Sequence, residues 1–230
     1  LPDYKEIYAS RADDYERLIT YEDYQANLLP ALNRIRPLVG LDALELGAGT
    51  GRLTRLVAPV ARSIRAFDAS SHMLHVAQVM LKRSGLRNWH IAAADHRRLP
   101  VRSHSADVTL AGWTLAHLFT WNEPAWREEA GKVFTELRRV LRPNGTAIIL
   151  ETLGTGYETP HPPENLTPYY SFLEQAGFSS TWVRTDYQFE SLGQAEVLVH
   201  FFFGPELAKQ VISRNWVILP ECTGIWWLNV

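Results

Sequence analysis

An apolar run from Ala43 to Leu46 leads through Gly47-Ala48-Gly49-Thr50-Gly51 directly into Arg52-Leu53 and a helical pattern. A strand that meets three alternate glycines and then a helix commits the chain to an α/β layer. Such a turn uses positive φ and leaves no Cβ between the backbone and whatever lies on it. Main-chain N–H groups at the helix start then face that ligand. A dinucleotide turn reads Gly-x-Gly-x-x-Gly/Ala, the third small residue letting helix and strand pack closely. Counted from Gly47, that position holds Arg52, which disfavours a nicotinamide cofactor by crowding the place of its pyrophosphate.

Strand-like apolar runs recur at Ala43 to Leu46, Ser63 to Asp68, Ile91 to Asp95, Asp107 to Ala111 and Thr146 to Glu151, with helical patterns between them. That alternation predicts a parallel sheet covered on both faces. Two helical segments are expected from Tyr4 to about Arg36, the second striped by Leu28, Leu29, Leu32 and Ile35 and ending before Pro37. The helix after the second strand is capped by Ser70 or Ser71, and a longer one ends at the turn signal Arg142-Pro143-Asn144-Gly145. The stretch from Gly154 to Pro163 reads as a functional loop. A helix near Asn165 to Ala176, a strand at Thr181 to Tyr187, helices around Ser191 to Phe203 and Pro205 to Arg214, and a last strand at Thr223 to Leu228 complete the expected order.

The 230 residues suit one sheet-centred domain over 37–230 with a helical lid over 1–36. A formal charge of −2 with 46% hydrophobic residues supplies no basic face for a nucleic acid partner. The single cysteine, Cys222, excludes an intrachain disulfide and any multi-thiolate zinc site, and suits a reducing compartment. Charged residues break up the first 30 positions, and no apolar run reaches membrane-spanning length, so a cytoplasmic protein without a membrane partner is expected.

In an open parallel sheet the ligand sits outside the carboxyl ends of the strands. Asp68 ends the second strand about 20 residues past the glycines, where a carboxylate accepts both ribose hydroxyls. Asp95-His96 and Ala111-Gly112-Trp113 end the third and fourth. His117 follows the fourth strand on the same rim and is the candidate base, with Glu158 and His161 in the Pro-rich loop behind it. No Gly-x-Ser-x-Gly elbow or phosphate-binding Gly-x-x-x-x-Gly-Lys occurs, and His72 and His75 lack the zincin spacing, so no metal site is expected.

The segments ALELGAGTGRLT, IRAFDASSHMLHVAQ, AAADHRRLP, ADVTLAGWTLAHL and ELRRVLRPNGTAIIL stand in the order of the class I S-adenosylmethionine-dependent methyltransferase motifs, and the chain resembles the small-molecule branch of that family. The resemblance implies a Rossmann-like, seven-stranded, mostly parallel sheet with a reversed last strand, helices on both faces and an N-terminal helical lid. It further implies that Gly47, Ala48 and Gly49 admit the methionine part of the cofactor to the backbone, and that Glu45 holds its ammonium directly or through water. Asp68 would take the ribose hydroxyls, Ala69 and Met73 would pack on adenine, Asp95 with His96 beside it would accept from the adenine amino group, and the Ala111 carbonyl would face the ammonium. Tyr15 and Tyr24 match lid tyrosines that close over the cofactor in this branch.

The acceptor implied is a small molecule with an O, N or C nucleophile, in a pocket to which Trp113, Tyr157 and His161 contribute. Metal-binding quinone O-methyltransferases carry carboxylates where this chain has Trp113 and Ala116, and the Asn-Pro-Pro-Tyr signature of amino-methylating enzymes is missing. A nicotinamide oxidoreductase and an S-adenosylmethionine binder without turnover stand as alternatives, and monomer and homodimer are both open.

Overall fold

The computed structural model describes residues 3–121 and 124–230. The chain opens with α1 (Tyr4–Ser10), α2 (Ala12–Ile19) and α3 (Leu28–Ile35). It continues through β1 (Asp42–Leu46), α4 (Arg52–Val57), β2 (Ser63–Asp68), α5 (Ser71–Arg83), β3 (Trp89–Ala93) and β4 (Ala106–Gly112). Next come α6 (Ala116–Trp121), α7 (Trp126–Val140), β5 (Leu141–Thr155), α8 (Thr167–Gln175) and β6 (Ser179–Arg184). The last elements are β7 (Tyr187–Gln188), α9 (Leu192–Phe203), α10 (Pro205–Ser213), β8 (Ile218–Leu219) and β9 (Glu221–Asn229). Among the described residues no helix is long and apolar enough to cross a membrane.

The main sheet has seven strands in the order β3-β2-β1-β4-β5-β9-β6. Pairings from β3 through β5 are parallel, and β9 runs antiparallel to both β5 and β6. Strand order reverses between β1 and β4, which opens the crevice in which ligands of such sheets lie. Side chains alternate between two buried faces, as strands inside a covered sheet require. Leu44, Leu46, Ala111 and Ile149 pack under α7 and α8, while Ala43, Val108, Leu110, Ile148 and Leu150 face α3 and α4.

Three local features depart from the sequence expectation. The N-terminal segment forms three helices where two were expected, because Arg11 leaves helical geometry (φ −125°, ψ 36°) between α1 and α2. The Arg142-Pro143-Asn144-Gly145 turn does not precede β5 but bulges out of it, since Leu141 pairs with Ala106 and Thr146 with Val108. Asn144 takes φ +63° and its N–H donates to the Val230 carbonyl, so Val230 holds the bulge in place. The strand expected from Thr181 to Tyr187 breaks at Thr185-Asp186, where Asp186 accepts from the Glu221 N–H and from Arg184. β7 then pairs with β8 as a separate ribbon, and the α9–α10 hairpin between them packs on α2 through Leu18, Leu198 and Val199. Of the residues expected to form a lid, those of α2 pack on this hairpin, whereas α3 packs with the sheet.

Candidate active site

The glycine turn is held open from beneath. Gly47 and Ala48 both donate to the Phe67 carbonyl (2.7 and 3.0 Å), bringing the β1 end against the β2 end. Gly47 has φ +70°, and a Cβ there would meet Thr114 Oγ1 at 2.2 Å. Gly49 has φ +53°, but a Cβ there would find only Met73 Cε at 3.4 Å and Tyr15 at 4.0 Å. The free space over Gly49 is the floor of the cavity. Asp68 fastens that floor: Oδ2 accepts from the Gly49 N–H (2.8 Å) and Oδ1 from the Ser70 N–H (2.7 Å). Asp68 thus serves both as a support for the start of α5 and as a carboxylate at the cavity wall.

A cavity of about 670 Å³ opens over these strand ends, inside the size range of small-molecule sites. Tyr15, Gly47, Gly49, Asp68, Ala69 and Met73 bound one side of it, while Asp95, His96, Trp113 and His117 bound the rest. Ala48 and Ala111, both expected at the site, are buried behind the turn and are not among the residues lining the cavity. Glu45 is buried beneath the floor, with Oε2 accepting from Thr54 Oγ1 at 2.5 Å. Burial, opposed by that hydrogen bond and reinforced by the nearby Asp68 charge, pushes the Glu45 carboxyl up to about 8.

Three expected site residues lie elsewhere. Tyr24 is excluded because Asp23, at φ +57°, caps α3 with its carboxylate while the Asp23 and Tyr24 N–H groups pair with the Thr185 and Asp186 carbonyls. That fixes Tyr24 at the β6–β7 corner, 39% exposed and away from the cavity. Tyr157 and His161 stack on each other (4.0 Å, 18°) outside the cavity lining. The cause is Gly154 at φ +133°, which folds the loop back so that the His161 N–H donates to the Leu153 carbonyl. The same folding leaves Glu158 exposed and outside the lining.

Arg52 also departs from expectation. Its guanidinium leaves the turn, pairs with Glu22 of the segment after α2 (2.5 Å) and lies 4.2 Å over the Trp113 ring. It therefore does not crowd the space over the glycines. One helical turn later Arg55 pairs with Glu16 of α2 at 2.6 Å.

Residues not singled out by sequence complete the wall. Lys5, Tyr8 and Ala9 of α1 line the cavity with Thr114 and Trp121. Positions 5, 8 and 9 share one helical face, and that spacing was the available signal. Tyr8 lies 3.1 Å (Oη) from His117 Nε2, and its own carbonyl accepts from Ser70 Oγ (2.7 Å). His117 stacks on Trp121 at 4.4 Å. Burial, with His96 nearby, pushes the His117 imidazole down to about 4, so it is neutral near pH 7. Its helix is pinned to β5 by Glu151, which accepts from the Ala116 N–H (2.9 Å) and which burial pushes up to about 8. Among the described residues no cluster of three metal-ligating side chains occurs.

Residues 44–149 match the family model described as a methyltransferase domain. Demethylmenaquinone methyltransferase of Lactococcus lactis is 29% identical over 155 residues, covering 64% of this chain and 58% of that protein. Malonyl-[acyl-carrier protein] O-methyltransferase of Legionella pneumophila is 25% identical over 218 residues, covering 93% of this chain and 68% of that protein. The chain thus spans little more than half the length of the Lactococcus relative. Among solved structures, a SAM-dependent methyltransferase from Aquifex aeolicus superposes with a TM-score of 0.57 at 16% identity over 92% of both chains, a likeness of fold.

Proposed function

We propose that this chain, a class I S-adenosylmethionine-dependent methyltransferase by its domain and fold, methylates a small molecule held between the cofactor site and the Tyr8–His117–Trp121 wall. The residues present fit the cofactor. Gly49 leaves an open floor, Asp68 keeps acceptor capacity beside it, and Glu45 is a buried carboxyl without a cation, the setting in which an ammonium is welcome. When bound, S-adenosylmethionine supplies an electrophilic sulfonium methyl. The chain's own part is alignment and exclusion of water, which such a displacement chiefly needs.

The observation that carries the acceptor reading is the composition of the α1–α6 side of the cavity. Tyr8, His117 and Trp121 form an aromatic wall on which Lys5 sits 5.3 Å from the Trp121 ring, and Lys5 is the charged residue among those described there. A planar or apolar acceptor with an acidic group suits such a wall better than a cation does. His117, at about 4, is a poor base for a phenol near 10, since that transfer runs uphill by roughly 8 kcal/mol. An oxygen or carbon acceptor therefore arrives already ionised, as a carboxylate or an acidic enol, while His117 and Tyr8 orient it. The named relatives act on demethylmenaquinone and on malonyl-[acyl-carrier protein], and acidic oxygen or carbon nucleophiles are accordingly favoured over amines.

The test is S-adenosylhomocysteine release, with product mass, on matched panels of carboxylic acids, enolic or hydroxylated aromatics, and amines. Turnover confined to amines refutes the acceptor reading. Tight S-adenosylhomocysteine binding with no turnover on any panel supports the binder alternative.

A further inference from the structure

Two helices meet in a fixed order along the outer wall of the cavity. α6 follows the glycine turn closely: Thr114 fills the space that a Gly47 Cβ would need, and the His117 N–H donates to the Thr114 carbonyl. His117 and Trp121 stand one helical turn apart on α6, with their rings stacked at 4.4 Å. On α1 the matching positions are Tyr8 and Lys5. Tyr8 Oη lies 3.1 Å from His117 Nε2, and Lys5 Nζ lies 5.3 Å from the centroid of the Trp121 ring. The wall therefore has an inner rank, Tyr8–His117, and an outer rank, Lys5–Trp121, set about 5–6 Å apart by one turn of each helix. Trp121 is 40% exposed, which puts the outer rank at the rim.

Charge sets the outer rank apart from the rest of the cavity. Asp68 turns its two oxygens to the N–H groups of Gly49 and Ser70. The Asp95 carboxylate is taken up by Arg97, whose guanidinium also pairs with Glu129 on α7. Lys5 is exposed, lines the cavity, and has no ion pair and no side-chain hydrogen bond among the described residues. The ring face of Trp121 holds its ammonium, a weak tie at an exposed site. An anion at the rim can therefore meet Lys5 without breaking a salt bridge. A single carboxylate is too small to span both ranks, so a group held by Tyr8 and His117 and a group held by Lys5 are different groups of one ligand.

We propose that Lys5 recognises a carboxylate of the acceptor that is not the group methylated. The acceptor is two-ended: a reactive oxygen or carbon lies against Tyr8 and His117, and a second, anionic group pairs with Lys5 one rank further out, with a planar or apolar body between them along Trp121. This rests on the reading of the Tyr8–His117–Trp121 wall as the acceptor side of the cavity. It makes Lys5 a specificity-determining residue that selects the acceptor by its remote charge and takes no part in methyl transfer itself.

Calorimetry on the intact chain with S-adenosylhomocysteine present tests it, using 4-hydroxycoumarin that carries a carboxylate, a carboxamide or an aminomethyl group on its benzo ring. The acidic enol supplies the inner end in all three probes, and only the outer end changes. The parent binds the carboxylate about fivefold more tightly than the carboxamide, the gain of an ion pair at a partly exposed site, and binds the aminomethyl compound most weakly. Lys5→Met keeps the apolar stem and removes the preference, Lys5→Arg retains it, and Lys5→Glu turns it toward the aminomethyl compound. A merely structural lysine would not give an order that follows the charge at this position. The side chain is exposed, so the variants fold, and thermal midpoints equal to the parent's check that. A carboxylate preference that survives in Lys5→Met, or that is missing from the parent, overturns the proposal. Failure of all three probes to bind the parent refutes the acceptor reading of the wall, and the proposal falls with it. Binding whose order does not depend on Lys5 refutes the proposal alone.

Discussion

The proposed role of Glu45 as the partner of the cofactor ammonium predicts that cofactor binding releases a proton. Its carboxyl is buried under the glycine turn at about 8, so roughly nine in ten copies are protonated at about pH 7. A cofactor ammonium selects the ionised form, and the proton must leave. For a bound-state value back in the ordinary carboxylate range, binding at about pH 7 releases close to one proton and costs ~1.4 kcal/mol relative to the ionised site. The dissociation constant for S-adenosylhomocysteine consequently falls ~tenfold from about pH 6 to about pH 7. Titration calorimetry in buffers of differing ionisation enthalpy counts the proton directly. Glu45→Gln copies the shape of the protonated acid and can still accept from Thr54. It should fold normally, bind with a flat pH profile and release no proton. Burial pushes His117 down to about 4, so it is neutral through this window, and His72→Gln and His96→Gln control for the other cavity-lining imidazoles. A parent dissociation constant that does not change over this range, with binding heats independent of buffer, refutes the role given to Glu45.

Asp68→Ala removes a charged acceptor from two backbone N–H groups. It should lower apo stability by about 2–4 kcal/mol and, separately, weaken S-adenosylhomocysteine binding by about 1.5–3 kcal/mol; unchanged affinity in a folded variant would confine Asp68 to supporting the start of α5. Glu22→Gln takes the charge partner from the nearly buried Arg52 and should cost about 3 kcal/mol, with faster hydrogen exchange in α2. Protection equal to the parent's would show that the pair does not anchor the lid. Glu45, Glu151 and Glu221 all sit at about 8 through burial. Folded values raised above the unfolded range give stability that is present at low pH and lost as pH rises through about 8, so the thermal midpoint should be lower at about pH 8 than at about pH 7. A higher midpoint at the upper pH contradicts the assignment.

The features legible in the sequence are those fixed by local backbone demands. Gly47 and Gly49 need positive φ, Asp68 stands at a strand end, and the alternation of apolar runs requires a sheet buried on both faces, which the seven strands form. Residues were misplaced where a side chain's fate depends on partners distant in the chain. Arg52 looked like a steric block beside the glycines, but its partner Glu22 is 30 positions earlier and draws it to the lid. Tyr8 and Tyr24 look alike in sequence. Ser70 Oγ and His117 hold Tyr8 at the cavity, while the caps and corner around Asp23 and Asp186 carry Tyr24 away.

These same long-range ties decide how a ligand enters. The sequence predicts a helical lid over 1–36, but α2 is joined to α4 by Arg55–Glu16, and the segment after it by Arg52–Glu22. Leu18 adds a buried anchor against the α9–α10 hairpin. By contrast α1 has no ion pair to the body among the described residues: it is held by the Ser70–Tyr8 and Tyr8–His117 hydrogen bonds, by ring contacts, and by Ile7 and the packing of Tyr8 near Met73 and Val76, and it carries the cavity-lining Lys5, Tyr8 and Ala9. Such weakly anchored elements open at the lowest free energy. This predicts that α1 alone moves, pivoting at the non-helical Arg11. Hydrogen exchange should show protection of Tyr4–Ser10 that rises with S-adenosylhomocysteine while that of Ala12–Ile19 does not change. Equal gains in both helices would restore the whole segment as the lid, and no gain in either would move the path of entry to another side of the cavity.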